Sequence, residues 1–133
     1  MSELLKISHT LKLISMFKFK LWDTIKQIMI PYSDIWWVEI NNPIHFYDTK
    51  DNCIGFVPNL IPLYFTGRSD KNGNEIYVGD VLKDYDFPVE FSYGSFGVRI
   101  CYDLTFVPLY DLEDTDMEVI GNKFENPDLL CNI

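Results

Sequence analysis

The sequence predicts a mainly β protein with a minor helical share, on three observations. Aromatic residues fill 16% of the 133 positions and alanine is absent, a composition that favours sheets over helices. From Phe17 onward, apolar and polar residues alternate over short runs, the period of half-buried strands. Seven Gly and seven Pro are spread along the chain, as punctuation between short strands would be. A chain of this length buries roughly two-thirds of its unfolded surface on folding.

Residues 1–15 form an N-terminal extension with Leu4, Ile7, Leu11 and Ile14 at helical spacing. Two expectations follow: a helix whose stripe covers a sheet or a second subunit, or an extension lying ahead of a start at Met16. Lys6, Lys12, Lys18 and Lys20 interrupt any export-signal core, and no run of 18 apolar residues suggests a membrane span.

Residues 16–62 read as an N-terminal β subdomain. Phe17, Phe19 and Leu21 alternate with Lys18, Lys20 and Trp22, which makes a strand; residues 23–26 turn the chain and residues 27–30 return before Pro31. Residues 35–40 are the next strand, where adjacent Trp36 and Trp37 must point to opposite faces. A turn at 41–43, a short strand at 44–47, a polar loop at 48–52 and an apolar strand at 53–57 follow. Pro58 and Pro62 are read as bracketing a stiff crossover to the second subdomain, residues 63–133.

That second part opens on a hairpin. Asp70 supplies the acceptor of a type I turn and Gly73 the following positive φ, so residues 70–73 predict a three-residue bulged loop between strands at 63–66 and 76–82. Gly79-Asp80 inside the second strand predicts a bulge or a sharp bend. Further on, Gly94-Ser95 reads as a type II′ loop pairing Tyr93 with Phe96, Phe91 with Val98 and Val89 with Ile100, with Glu90 facing Arg99. An acidic loop, Asp111, Glu113, Asp114 and Asp116, precedes a closing strand at 117–121, and Asn126-Pro127 starts a short helical turn over 127–130.

Three stretches carry a family resemblance. Thr66-Gly67, the Asp70-Lys71-Asn72-Gly73 turn, Tyr77 and Gly79-Asp80 resemble the central signature of the YopX family of phage and prophage proteins. The opening strand ending in Trp22-Asp23 is similar to the family's first strand, and Gly121-Asn122 through Asn126-Pro127 to its closing segment. The resemblance implies an SH3-like barrel in the C-terminal half, a phage or prophage origin and no established mechanism. It is weakest around residues 41–62.

Charge is uneven. Residues 1–79 hold eight acids against eight Lys or Arg, and residues 80–133 hold twelve against three, so the net charge of −9 belongs to the C-terminal part. An acidic surface repels phosphates and attracts cationic partners; plain solubility is the duller account of the same excess. Cys53, Cys101 and Cys131 show no CxxC spacing, which points to reduced thiols and a cytoplasmic setting in a bacterial host, without a zinc site. His9 and His45 lack a neighbouring nucleophile motif. The Asp70, Asn72, Asn74 spacing mimics the first ligand positions of a calcium loop, but Gly73 stands at the loop's position 4 instead of 6 and Val81 occupies position 12, where a bidentate Glu is required. No catalytic set, cofactor or metal is therefore expected.

Two functional expectations remain. The first is a non-enzymatic accessory protein that binds an unidentified host or phage protein, with Trp36, Trp37, Asp111, Glu113, Asp114 and Asp116 as candidate contacts and self-association as a further option. The second is nucleic acid binding through Lys18, Lys20, Lys26, Arg68 and Lys71, with Trp22 or Trp37 stacking on bases. The charge balance favours the first.

Overall fold

The computed structural model describes residues 18–40, 43–100 and 102–131, a mainly β chain of curled antiparallel sheets with short 3-10 turns. The N-terminal helix and the Met16 start therefore lie outside the described residues. The chain divides into two compact units, Met1–Tyr64 and Phe65–Ile133.

In the first unit, β1 (Phe19–Asp23) runs antiparallel to β2 (Ile28–Ile30), with Leu21 opposite Ile30. On its other side it pairs with the first half of β6 (Leu60–Ser69), Phe19 opposite Tyr64 and Asp23 opposite Leu60. Asp23 makes the intervening turn: its buried carboxylate accepts the Ile25 and Lys26 amides, both at 2.9 Å. A second sheet has the order β3 (Trp37–Glu39), β4 (His45–Tyr47), β5 (Cys53–Phe56). Phe19, Leu21, Ile30, Ile35, Val38, Phe46 and Leu60 form the core of this unit.

Pro62 does not bound a crossover. It sits inside β6 opposite Leu21. Proline is tolerated in a strand wherever the ladder does not call on its nitrogen, so it stiffens this one instead of ending it.

In the second unit, the latter half of β6 pairs with β7 (Glu75–Tyr77), Phe65 opposite Tyr77 and Ser69 opposite Glu75. The register shift between those pairs is a bulge at Gly67, whose φ of 85° suits glycine. The loop at 70–73 is the expected bulged hairpin: Gly73 N–H donates to Asp70 O at 3.1 Å and Gly73 takes φ 81°. Gly79, at φ 95°, bends the next strand into β7 and β8 (Asp80–Leu82), and the Asp80 carboxylate seals the bend by accepting the Tyr77 amide at 2.8 Å.

The hairpin of β9 (Glu90–Ser92) and β10 (Ser95–Arg99) corrects the expected register. Ser92 faces Ser95, Phe91 faces Phe96 and Glu90 faces Gly97. The loop is therefore Tyr93-Gly94, with φ of 54° and 77°, a type I′ turn in place of Gly94-Ser95 as type II′. Alternation could not separate the two, because both registers put the same residues on the same faces.

Strand β11 (Phe106–Pro108) completes that sheet in the order β11-β10-β9, and β12 (Val119–Asn122) pairs with β8. Ile76, Leu82, Val89, Val98, Leu109 and Met117 form the second core. The terminal turn is a 3-10 turn, Pro127–Leu129, and Asn126 does not cap it through its side chain. Asn126 Oδ1 instead accepts the Asn122 amide at 3.2 Å. Cys131 is disulfide-bonded, which corrects the expectation of reduced thiols there, while Cys53 is an exposed free thiol. Spacing along the chain does not register closeness in space, which is what a disulfide needs.

Candidate functional site

The Gly67 bulge delivers Arg68 to the acidic segment. Its Nη1 donates to Leu109 O at 2.6 Å and its Nη2 to Leu112 O at 2.8 Å, and both Nε and Nη2 reach Asp114 Oδ1, at 3.0 and 2.6 Å. Guanidinium geometry suits this many-armed role. The segment is thereby held as two 3-10 turns, Leu109–Asp111 and Asp114–Asp116, with Asp111, Glu113 and Asp116 exposed around the anchored Asp114. Arg68 is thus spent on the fold, and Lys71 lies 3.8 Å from Glu118.

A second cluster lies on the outer face of the β9-β10-β11 sheet. Arg99 Nε donates to Glu90 Oε1 at 2.5 Å and Nη1 to Leu104 O at 3.1 Å. Its guanidinium stands 5.8 Å from the Tyr93 ring centre and 5.6 Å from that of Phe106, and the two rings meet edge to face at 5.4 Å. Phe106 lies over Gly97, where any Cβ would collide with its ring. Glu90, and then the Tyr93 hydroxyl, push the Arg99 pKa up, so the cation is held firmly charged. The sequence showed the Glu90 and Arg99 pair but not the aromatic layer, which depends on the empty Cα of Gly97.

The tryptophans separate as their adjacency requires. Trp36 is 44% exposed, whereas Trp22 and Trp37 are each 4% exposed. Trp37 stacks flat on Tyr47 at 3.8 Å, and its indole N–H donates to Asp51 Oδ1 at 2.6 Å. Trp37 and Trp22 are therefore packing residues, which corrects their use as contact or stacking candidates. Lys18 and Lys20 are half-buried and Lys26 is exposed, all in the first unit, while Arg68 and Lys71 are in the second.

The signature residues turn out to shape turns. Thr66 Oγ1 donates to Ile76 O at 2.7 Å across the hairpin. Asp70 is buried and accepts the amides of Asn72 and Asn74 through Oδ1, both at 2.9 Å, and of Val119 through Oδ2 at 2.8 Å. Burial pushes its pKa up, but the amide bonds from Val119, Asn74 and Asn72 outweigh burial and hold it below the ordinary carboxylate value. Asn122 Oδ1 accepts the Phe124 and Glu125 amides, at 3.0 and 2.9 Å.

Signs of covalent chemistry are sparse. His45 Nδ1 is 2.8 Å from Pro43 O, which can only accept, so this nitrogen carries the proton. Among the described residues, no group of three or more His, Cys, Asp or Glu side chains is placed to hold a metal ion. The first unit contains an apolar cavity of about 270 Å³ lined by Phe19, Val38, Phe46 and Tyr64 among others, with no titratable pair in it. Among the described residues, no helix is long and apolar enough to cross a membrane.

A small β protein with an Arg-anchored acidic segment and turn-shaping signature residues is the class that fold and site define. The YopX protein family model matches residues 18–131, and the chain belongs to that family. The crystal structure of protein EF1440 from Enterococcus faecalis is similar at 25% identity and a TM-score of 0.58, covering 86% of this chain and 98% of that one. Protein yopX from Bacillus subtilis is similar in fold at 19% identity and the same TM-score of 0.58, covering 86% of this chain and 96% of that one. No curated protein matches the sequence.

Proposed function

We propose that this chain is a non-enzymatic accessory protein of phage or prophage origin that acts inside the bacterial host by binding another protein, docking a cationic surface through its second unit. The observation that carries this reading is the distribution of charge. Residues 65–133 hold fourteen acids against five Lys or Arg, and residues 1–64 hold six against six. Four of those five cations already face acids: Arg68 with Asp114, Lys71 and Lys83 with Glu118, and Arg99 with Glu90. The fifth, Lys123, sits over the Phe124 ring at 5.0 Å. Such a surface steers cations inward and repels nucleic acid backbones.

The test is affinity capture with the full chain from bacterial lysate, with and without nuclease. The expected result is a stoichiometric basic protein retained after nuclease. Capture that vanishes with nuclease would replace this reading with nucleic acid binding.

A further inference from the structure

We infer that the outer face of the β9-β10-β11 sheet, centred on Tyr93, Arg99 and Phe106, is the docking surface for an extended, lysine- or arginine-bearing peptide segment of another protein; this rests on the protein-binding reading and gives it an address. The first ground is conformational. Tyr93 occupies a left-handed position, φ 54°, in a type I′ turn where Asn, Asp or Gly is favoured, and a bulky residue held there costs on the order of 1 kcal/mol. Burial does not offset that cost, because Tyr93 is 83% exposed. Its contacts with Arg99 and Phe106 hold the ring in place without covering it.

The second ground is preorganisation. Arg99 is fixed from several directions, by Glu90, the Leu104 carbonyl and two rings, and Phe106 is seated on Gly97. A rigid exposed aromatic surface loses little freedom on binding, which is what contact aromatics need.

The third ground selects the occupant. Glu90 already neutralises Arg99, so the face offers no anion site, and the unit around it is strongly acidic. Exposed tyrosine faces attract ammonium and guanidinium groups. β9 and β11 are the outer strands of this three-stranded sheet, and an extended segment is the shape that runs along such strands. A second copy of the chain would bring the same negative field and be repelled.

The experiment uses the full chain at about 0.15 M salt, where exposed charges farther apart than about 8 Å are largely screened. Fluorescein-labelled deca-lysine, deca-glutamate and a ten-nucleotide single-stranded DNA are titrated against wild type and Tyr93→Asn. That substitution creates the favoured Asn-Gly turn, so the unfolding midpoint is expected to hold or rise while the ring is lost. The expected result is deca-lysine binding weakened roughly tenfold by Tyr93→Asn, with wild-type amide shifts in NMR centred on residues 90–108. Equal binding by both proteins would overturn the surface and leave the protein-binding reading standing. Absence of deca-lysine binding to wild type would overturn both, as would preference for the DNA. Self-association abolished by Tyr93→Asn, with deca-lysine binding unchanged, would make the face a contact between copies and overturn the inference.

Discussion

Asp70 shows how one carboxylate can organise a fold at a distance. It is only 4% exposed, yet three backbone amides outweigh the burial that would protonate it. Its folded pKa lies below the unfolded value of about 3.9, so its contribution is complete above that pH and is lost as pH falls through the folded pKa. Asp70→Asn should cost about 2 kcal/mol at pH 7, where the charge-assisted bonds are lost. Urea titrations across the acid range should also show a shallower loss of stability below about pH 4 than in wild type; parallel curves would remove the ionised state from this account. The local half of Asp70's role was legible, because an acceptor followed three residues on by Gly is a turn signal. Its bond to Val119 was not, since 49 residues separate them. Trp36 offers a second check: acrylamide or iodide should quench the fraction of fluorescence that Trp36→Phe removes, leaving the signal of the buried Trp22 and Trp37 nearly intact.

At the scale of elements, close approach decides what the chain tolerates. A Cβ at Gly121 would fall 2.5 Å from Asn126 Oδ1 and 2.8 Å from a Leu129 methyl. Gly121→Ala should therefore displace the Pro127–Leu129 turn and lower stability by about 2 kcal/mol, read by thermal or urea unfolding. Unchanged stability would show that the turn moves aside freely. The β9 and β10 hairpin marks where sequence reasoning ran short: alternation put Val98 in the core with Phe96 packed against it, but Phe91, expected in the same core face, is 59% exposed, and the turn chooses the register. Tyr-Gly is an uncommon type I′ pair, so the more familiar Gly-Ser loop took precedence. Pro62 misled for the opposite reason, as proline is usually a boundary and here is an interior strand residue.

At the scale of the whole molecule, the mainly β class and the family were legible from composition, alternation and three short stretches. The burial of Trp22 and Trp37 and the commitment of Arg68 to the acidic segment were not, because exposure and spent hydrogen bonds are properties of packing. The net charge of −9 falls within the second unit, and because residues 65–79 hold two acids against two Lys or Arg, a division at residue 64 or at residue 79 gives the same balance. Binding of a cationic partner should accordingly weaken as salt rises from about 0.05 to 0.5 M, since such an attraction is screened. An affinity indifferent to salt would count against the acidic surface as the source of attraction.

The Arg68 anchor also bears on how such a surface can change. Two of its three acceptors, Leu109 O and Leu112 O, are main-chain oxygens that any residue supplies. The outward side chains at 111, 113 and 116 are exposed around that anchor. Arg68→Ala should therefore raise amide hydrogen exchange across residues 109–117, whereas replacing the three exposed acids should leave exchange there near wild type. Lineages of this protein would then be free to rewrite the outer lettering of the segment without renegotiating the fold beneath.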